Sequence, residues 1–464
     1  MKIDNIHSVY FLGIGGIGMS ALARYFKAMG KYVGGYDKTS THLTDQLIAE
    51  GVEIHFEDNV NLISDTIRDL KTAEQKNQVL IVFTPAVPKD HKELNFLSQN
   101  GFVIKKRSEV LGMITEGTFN IAVAGTHGKT TTSSIIAHLL TQSDKGCSAF
   151  LGGITQNYNT NLLLNTKSAI TVVEADEYDR SFLTLSPDVA IITSIDADHL
   201  DIYGEKKAVE ESFALFAKKV KDGGKLIVKK GLGLPLEILC NASTYSVQTK
   251  ADFYAENIRV VDGAFVFDFK SSIVNMDELS FEVPGRHNVE NAVAAIAACL
   301  LSGIKPEYVK QSLKSFKGVK RRFEYQIKTK ELVYIDDYAH HPEELRACIA
   351  AVRELYPNRK ITGIFQPHLY SRTRDFADDF AASLDLLDEC ILLNIYPARE
   401  LPIIGVTSQI LIDKMKLKAK HLMSYQELIN HISASKLDVL ITLGAGDIDK
   451  MVAPIKELIQ KQIR

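Results

Sequence analysis

Phe119-Asn120-Ile121-Ala122-Val123-Ala124-Gly125-Thr126-His127-Gly128-Lys129-Thr130-Thr131 passes from an apolar strand through a two-glycine loop into a helix start. Loop N–H groups in this order can cradle the β- and γ-phosphates of a nucleotide. Lys129 can neutralise those phosphates, and the Thr130 hydroxyl can ligate Mg²⁺. The usual pattern is G-x-x-x-x-G-K-[ST]; here the first glycine, Gly125, sits two positions late. A strand, a phosphate loop and a helix in succession belong to α/β architecture, with the anion held at the helix N-terminus.

The residues downstream fit the same edge of a parallel sheet. Thr171-Val172-Val173-Glu174 is an apolar run that ends in a carboxylate, and Ile191-Ile192-Thr193-Ser194-Ile195-Asp196 is another, followed by Asp198, His199 and Asp201. In a parallel sheet the strand ends lie beside the phosphate loop. Thr130, Glu174 and His199 can then share one or two divalent ions. Oxygen donors with a single imidazole suit Mg²⁺ or Mn²⁺ better than Zn²⁺.

Upstream, Ser8-Val9-Tyr10-Phe11-Leu12 leads into Gly13-Ile14-Gly15-Gly16-Ile17-Gly18, a literal G-x-G-x-x-G, and Asp37 ends the next strand 19 residues after Gly18. Glycines permit close approach to a pyrophosphate, and the acid can take a ribose hydroxyl. On these residues alone a diphosphate ligand is expected, by default NAD, which makes an NAD-dependent dehydrogenase the rival from another class.

Beyond Asp196 the texture changes to shorter strands: Lys225–Lys229, Phe253–Val261, Ala264–Phe269 and Leu279–Val283, with Asp262-Gly263 as a hairpin signal. A helix from Asn288 to Leu301 follows. Asn288 and Asn291, three apart, share a helix face. They fit an adenine edge, and Asn288 equally fits a helix N-cap. A third block repeats strand–helix units: Leu332–Asp336 then Glu343–Tyr356, Ile361–Phe365 then Asp375–Leu387, Cys390–Ile395 then Ser408–Met415, and Val439–Leu443 before a terminal helix. At its strand ends stand Asp336-Asp337-Tyr338-Ala339-His340-His341 and Gln366-Pro367-His368, with Ser371-Arg372-Thr373-Arg374 close behind. His340, Arg372 and Arg374 there can bind a carboxylate or a developing anion. They can also be helix-start and solvated surface residues.

The 464 residues carry 54 Lys+Arg against 57 Asp+Glu, a formal charge of −3. That balance gives no support to a nucleic-acid binder. Cys147, Cys240, Cys299, Cys348 and Cys390 form no C-x-x-C pair, so neither a disulfide framework nor a structural zinc site is expected. The longest apolar run, Ala292 to Leu301, is too short to span a membrane. The expectation is a cytoplasmic protein, monomer or homodimer.

The motifs Gly125-Thr126-His127-Gly128-Lys129-Thr130-Thr131, Glu174-Ala175-Asp176-Glu177, Asp198-His199-Leu200-Asp201, Arg286-His287-Asn288-x-x-Asn291-Ala292 and Asp336-Asp337-Tyr338-x-His340-His341-Pro342 resemble those of the Mur ligases, ATP-dependent amide-forming enzymes of peptidoglycan precursor synthesis. The resemblance implies three α/β domains. These are a Rossmann-like UDP-sugar domain at 1–107, a central P-loop ATPase-like domain with an added small antiparallel sheet at 108–320, and a C-terminal Rossmann-like amino-acid and ligase domain at 321–464. Gly13-Ile14-Gly15-Gly16-Ile17-Gly18-Met19-Ser20 and Gln366-Pro367-His368-x-Tyr370-x-Arg372-x-Arg374 resemble the members that join L-alanine to UDP-N-acetylmuramate; the members that recycle muropeptides come second.

The resemblance also implies the site residues. Gly13, Gly15, Gly16, Ile17, Gly18, Met19, Ser20 and Asp37 would hold the UDP diphosphate and its sugar nucleotide in place of NAD. Gly152, Gly153 and Asn161 would meet the muramoyl part, and Ser181 the lactyl carboxylate. Gly125, Thr126, His127, Gly128, Lys129, Thr130 and Thr131 would bind ATP with Mg²⁺ (or Mn²⁺), with Thr130, Glu174 and His199 on the metal. His287, Asn288 and Asn291 would meet the nucleotide, the asparagines at adenine, while Asp337 takes the ribose and Arg322 the γ-phosphate. His340, Arg372 and Arg374 would face the reacting carboxylate and the incoming amino acid. Lys129, Glu174, His199, His340, Arg372 and Arg374 are thus the expected catalytic set.

Overall fold

Five parallel strands, β1 (Ser8–Leu12), β2 (Tyr32–Tyr36), β3 (Glu53–His55), β4 (Val79–Phe83) and β5 (Val103–Lys106), pair in the order β3-β2-β1-β4-β5. Their nearly continuous apolar runs reflect burial on both faces. Val9 and Phe11 pack with Leu22 and Phe26 of the helix Ile17–Ala28, while Tyr10 and Leu12 pack on the opposite face with Ile67 and Leu97. The chain order reverses between β1 and β4, so the glycine loop after β1 lies at the switch point where open α/β sheets bind ligands.

A second sheet contains β6 (Phe119–Ala124), β7 (Ser148–Phe150), β8 (Leu162–Leu163), β9 (Ile170–Glu174), β10 (Val189–Ile192), β11 (Lys225–Lys229), β12 (Ser243–Ser246), β13 (Phe253–Val261), β14 (Ala264–Ser271) and β15 (Met276–Phe281). Its order is β15-β14-β13-β12-β11-β10-β6-β9-β7-β8. β6 lies between β9 and β10, parallel to both, and the phosphate-loop helix Lys129–Thr141 follows it. Asp262 (φ 51) and Gly263 (φ 78) both take the left-handed region, which a two-residue turn between β13 and β14 requires. β15 begins at Met276, before the expected Leu279, and β10 stops at Ile192, leaving 193–196 as a loop.

A third sheet holds β16 (Glu324–Lys328), β17 (Val333–Asp337), β18 (Ile361–Phe365), β19 (Glu389–Leu392), β20 (Lys420–Leu422) and β21 (Val439–Leu443), in the order β16-β17-β21-β18-β19-β20. Among the described strands of this sheet only the edge strand β16 is antiparallel; its sequence, Glu324-Tyr325-Gln326-Ile327-Lys328, alternates polar and apolar residues, a period-2 signal of a strand that the expected strand–helix units omit. Val333, Ile335, Val439 and Ile441 face one core, and Tyr334 and Leu440 the other. The helix expected over Asp375–Leu387 is two helices, Tyr370–Asp375 and Ala377–Leu384, because Phe376 (φ −113, ψ 23) leaves helical geometry between them.

The computed structural model describes residues 3–196, 206–398 and 400–463. Its packing gives two compact units: Met1–Tyr254 with Phe269–Met276 and Asn291–Leu313, and Ala255–Asp268 with Asp277–Glu290 and Lys314–Arg464. In the first unit one apolar core takes Phe11 and Phe26 from beside the first sheet, Ala124, Val173 and Ile192 from the second, and Phe213 and Phe216 from the helix Lys206–Ala217. Among the described residues no helix is long and apolar enough to cross a membrane.

Candidate functional site

The phosphate loop is shaped by two glycines. Gly125 has φ 141 and Gly128 has φ 84. A Cβ on Gly125 would lie 2.0 Å from Thr193 Oγ1, and one on Gly128 would lie 2.6 Å from Asn291 Oδ1. Only glycine fits both the backbone angle and the space. The loop 193–196 folds against it: the Thr126 hydroxyl lies 2.8 Å from Ser194 Oγ, and the His127 N–H donates to Ser194 Oγ at 2.7 Å. Thr193 Oγ1 donates to the carbonyls of Ala124 (3.1 Å) and His127. Thr130 and Thr131 are buried in the first turn of the helix.

Lys129 Nζ donates to the Gly125 carbonyl at 2.6 Å and pairs with Glu177 Oε2 at 2.8 Å. Burial works against the ammonium, but the Glu177, Glu174 and Asp176 carboxylates outweigh it and hold Lys129 well above the usual lysine range. The cation is therefore fixed beside the loop before any anion arrives. Thr130 Oγ1 donates to Glu174 Oε2 at 2.9 Å, and the Gly152 N–H donates to the same oxygen at 3.0 Å. A Cβ on Gly152 would lie 2.2 Å from that carboxylate. Thr130, Glu174 and Gly152 thus meet at one strand edge, with Gly153 next in the chain. His199 lies outside the described residues. Among the described residues no group of three or more His, Cys, Asp or Glu could hold a metal ion.

In the glycine loop after β1, the Gly15 N–H donates to Asp37 Oδ2 at 2.7 Å, and the Thr39 N–H reaches Asp37 Oδ1 at 3.2 Å. Asp37 braces the loop from inside, a use that the ribose reading did not include. Gly16 and Ile17 are exposed, whereas Met19 and Ser20 are buried beneath them. Asn161 is fully buried: its Nδ2 donates to the Ile17 carbonyl (2.6 Å) and to Ser20 Oγ (3.0 Å), and its Oδ1 accepts from Arg24 at 2.5 Å. Asn161 therefore ties the central sheet to the glycine-loop helix, with its amide spent on protein groups. A Cβ on Gly18 would strike Arg107 at 2.5 Å, and Arg107 pairs with Asp176 at 2.8 Å. Ser181 is half-buried just after Asp179 and Arg180, which both have positive φ (52 and 54). Glu177, Thr193, Ser194, Arg24 and Arg107 were given no role from the sequence. Their partners are distant in the chain, so no local spacing marks them.

In the second unit, Asp337, Phe365 and Leu443 end adjacent parallel strands in register. The Asp337 carboxylate accepts N–H groups from Phe323 (2.7 Å) and Ala339 (2.8 Å). Burial pushes its carboxyl up to about 6 against the Arg322 guanidinium and those two donors. Arg321 and Arg322 lie over the Tyr338 ring at 5.1 and 5.0 Å. His340 Nδ1 lies 3.0 Å from the Tyr338 carbonyl and 3.3 Å from Glu344 Oε2. Both partners accept, so Nδ1 carries a hydrogen and Nε2 is the basic nitrogen of the neutral ring. The His340 and His368 rings meet edge-on at 5.9 Å. Glu400 accepts from the Ser371 N–H at 2.9 Å, holding the start of the helix that bears buried Arg372 and the more exposed Arg374, whose Nε donates to Asp375.

The helix carrying the two asparagines begins at Arg286, so Asn288 lies inside its first turn and is not the N-cap. Its Nδ2 donates to the Pro284 carbonyl at 2.6 Å. His287 packs against Gly285, where a Cβ would lie 2.5 Å from its ring. Asn291 faces Gly128 in the first unit.

Comparison with known proteins agrees from end to end. The Mur ligase family catalytic domain matches residues 8–118, the Mur ligase middle domain residues 123–299, and the Mur ligase glutamate ligase domain residues 321–446. A UDP-N-acetylmuramate–L-alanine ligase of Parabacteroides distasonis is 53% identical over 466 residues, covering 100% of both chains. One from Flavobacterium johnsoniae is 52% identical over 464 residues, again covering 100% of both. Among solved structures, the UDP-N-acetylmuramate–alanine ligase of Thermotoga maritima matches with a TM-score of 0.83 at 28% identity, over 98% of this chain and 99% of that one. A murein peptide ligase of Psychrobacter arcticus, at 22% identity, TM-score 0.70 and 97% and 98% coverage, shares the fold.

Proposed function

Because the chain belongs to the Mur ligase family, we propose that it is an ATP-dependent ligase joining L-alanine to the lactyl carboxylate of UDP-N-acetylmuramate, in peptidoglycan precursor synthesis. The observation that carries this reading is the identity of 53% and 52% of residues, over whole chains, with two L-alanine ligases. The pinned Lys129 beside the phosphate loop supports its ATP half. The division into 1–107 for the UDP-sugar, 108–320 for ATP and 321–464 for the amino acid belongs to the same reading. So do a monomeric or homodimeric state and a cytoplasmic location, in keeping with five free thiols.

Lys129 and the N–H groups of the loop from Gly125 to Thr131 bind the ATP phosphates, with His287, Asn288 and Asn291 toward the base, Asp337 toward the ribose and Arg322 toward the γ-phosphate. Thr130 and Glu174 are an oxygen donor set that fits Mg²⁺ (or Mn²⁺), and they would hold it together with His199. Bound there, the ion supplies neutralisation of the phosphate charge. The glycine loop from Gly13 to Ser20, braced by Asp37, takes the UDP diphosphate; Gly152, Gly153, Asn161 and Ser181 border the muramoyl end.

A carboxylate does not condense with an amine in water without activation. The lactyl carboxylate attacks the γ-phosphorus, ADP leaves, and an acyl phosphate forms, with Lys129 offsetting charge on the transferring group. The alanine amine then attacks the acyl carbon and phosphate departs. Nε2 of His340 accepts the amine proton, while Arg372 and Arg374 hold the alanine carboxylate or the developing oxyanion.

The test places an oxygen-isotope label in the lactyl carboxylate. Label is expected in the released phosphate, in a reaction that needs UDP-N-acetylmuramate, ATP and L-alanine together. Phosphate without label would overturn the acyl-phosphate route. Reaction with a preformed peptide but not with L-alanine would move the chain to the recycling ligases.

A further inference from the structure

On the face of the first sheet away from the glycine-loop helix Ile17–Ala28, two buried titratable side chains meet a half-buried third, His55. Glu93, in the helix Lys92–Gln99, has no exposure, and Tyr10 on β1 is 2% exposed. Glu93 Oε1 accepts the Asn59 N–H at 3.1 Å, and His55 Nε2 lies 3.5 Å from the same oxygen. The Tyr10 hydroxyl lies 2.7 Å from Glu93 Oε2 and 2.7 Å from His55 Nε2.

Counting hydrogens fixes what this line can hold. His55 Nδ1 lies 2.9 Å from the Glu57 carbonyl, which can only accept, so Nδ1 carries a hydrogen. The Tyr10 hydroxyl has one hydrogen to give. Two arrangements satisfy every contact. In the first, His55 is an imidazolium whose Nε2–H donates to Tyr10, and Tyr10 donates to the Glu93 carboxylate. In the second, Glu93 is the neutral acid donating to Tyr10, and Tyr10 donates to the neutral Nε2. Both hold the same number of protons; passing between them shifts one hydrogen from Nε2 to Tyr10 and one from Tyr10 to Glu93. Remove one proton and the hydroxyl faces two acceptors with a single hydrogen, leaving a buried polar atom short of a partner.

The surroundings favour the second arrangement. Burial pushes Glu93 up to about 7, with the Asp58 carboxylate adding to the rise, and burial pushes His55 down. The other titratable groups facing the line are His91, whose Nδ1 lies 3.2 Å from Asp58, together with Tyr32, Tyr36 and Glu57.

A short path leads from this line to the glycine loop. The His55 carbonyl accepts the Asp37 N–H at 3.1 Å, and Asp37 Oδ2 accepts the Gly15 N–H at 2.7 Å. We propose that Tyr10, His55 and Glu93 are positioning residues forming a one-proton relay that holds the Asp37 brace of the glycine loop, so that binding of the anionic sugar-nucleotide diphosphate weakens when the relay loses its proton. This rests on the glycine loop being the diphosphate site. A lost proton acts twice in the same direction: it leaves a hydrogen bond unmade beside β3, and it adds negative charge near an anion.

Calorimetric titration of the whole chain with UDP-N-acetylmuramate, without ATP, tests this between about pH 6 and about pH 9. The wild-type Kd is expected to rise on the order of three- to tenfold with pH. Glu93→Gln keeps the donor to Tyr10 and the acceptor for Asn59, so its Kd should stay flat while its Tm stays close to wild type. Tyr10→Phe, which breaks the line, should shift the midpoint of the His55 ring nitrogen signals in NMR. Parallel wild-type and Glu93→Gln curves would overturn the relay, as would a His55 titration unmoved by Tyr10→Phe. Absence of sugar-nucleotide binding at every pH would overturn the glycine-loop reading and the binding consequence with it, a result distinct from binding that ignores pH.

Discussion

Gly125 after β6 and Gly444 after β21 sit in different units, yet both have φ 141, and both leave a strand flanked by parallel neighbours. A Cβ on Gly125 would strike Thr193 Oγ1 at 2.0 Å, and one on Gly444 would strike the Gln366 carbonyl at 2.8 Å. The backbone device is the same, and at each loop one cation donates to the glycine carbonyl and pairs with a buried carboxylate; what differs is the kind of cation. Lys129 is held against a carboxylate that is 1% exposed. Arg321 is pinned in the same way, its Nη2 donating to the Gly444 carbonyl at 2.7 Å and its Nε pairing at 3.1 Å with Asp336, a carboxylate also 1% exposed; Arg322 lies over the Tyr338 ring, and the Arg374 side chain is 54% exposed. A compact ammonium suits a phosphate chain of fixed position, whereas a planar guanidinium adds bidentate and stacking geometry.

The sharpest way to break this comparison is Lys129→Ala. Turnover is expected to fall on the order of a thousandfold or more, as for loss of a preorganised charge in phosphoryl transfer. Kd for UDP-N-acetylmuramate, measured by calorimetry, should hold, because the glycine loop is built from other residues. Equal loss of both would mean that the two sites are not separate.

The two glycines come next. Gly125→Ala should destabilise by about 3 kcal/mol in urea unfolding, from a positive φ and an overlap with a hydroxyl that is itself tied to two carbonyls. Gly444→Ala should cost less, about 2 kcal/mol, since its overlap is milder. The reverse order would show that the turns are not equivalent in strain.

Glu177→Gln should cost about 2 kcal/mol by weakening the hydrogen-bonded ion pair. The pH response has a definite sign. Lys129 is raised in the fold, so the stability it carries is present below the ordinary lysine pKa and is lost as pH rises through the folded value. Removing the Glu177 charge lowers that folded value, so the alkaline limb of the kcat/KM profile should move toward neutral pH. A limb that stays in place would assign it to another group. The smallest effect is expected for Arg374→Ala: stability within about 0.5 kcal/mol, because its pair with Asp375 is exposed, but a raised KM for L-alanine in steady-state assays.

Much of the fold was legible because local chemistry dictates it. The strands Ile361–Phe365 and Val439–Leu443 fall where their apolar runs put them. Asp262-Gly263 turns where its tolerance of positive φ allows. Boundaries failed where tertiary contacts decide them. β10 ends early because Thr193 and Ser194 are drawn over the phosphate loop, and the helix expected from Asn288 begins at Arg286, with the Asn288 amide bonded back to the Pro284 carbonyl.

The sequence by itself determined the phosphate loop, the glycine loop, the parallel-sheet architecture and the family. Each depends on residues within a few positions of one another, where allowed φ/ψ and periodicity leave few choices. Only the tertiary structure decided that Glu177 pins Lys129, that Asn161 clamps Ile17 and Ser20, that Asp37 turns inward to Gly15, and that Glu93 reaches His55 through Tyr10. Except for Asp37 and Gly15, 22 residues apart, these partners are separated by tens of residues to well over a hundred. No local spacing encodes such pairs, because it is the order of strands in the sheets, with the loops and helices packed on them, that brings the groups within hydrogen-bonding distance.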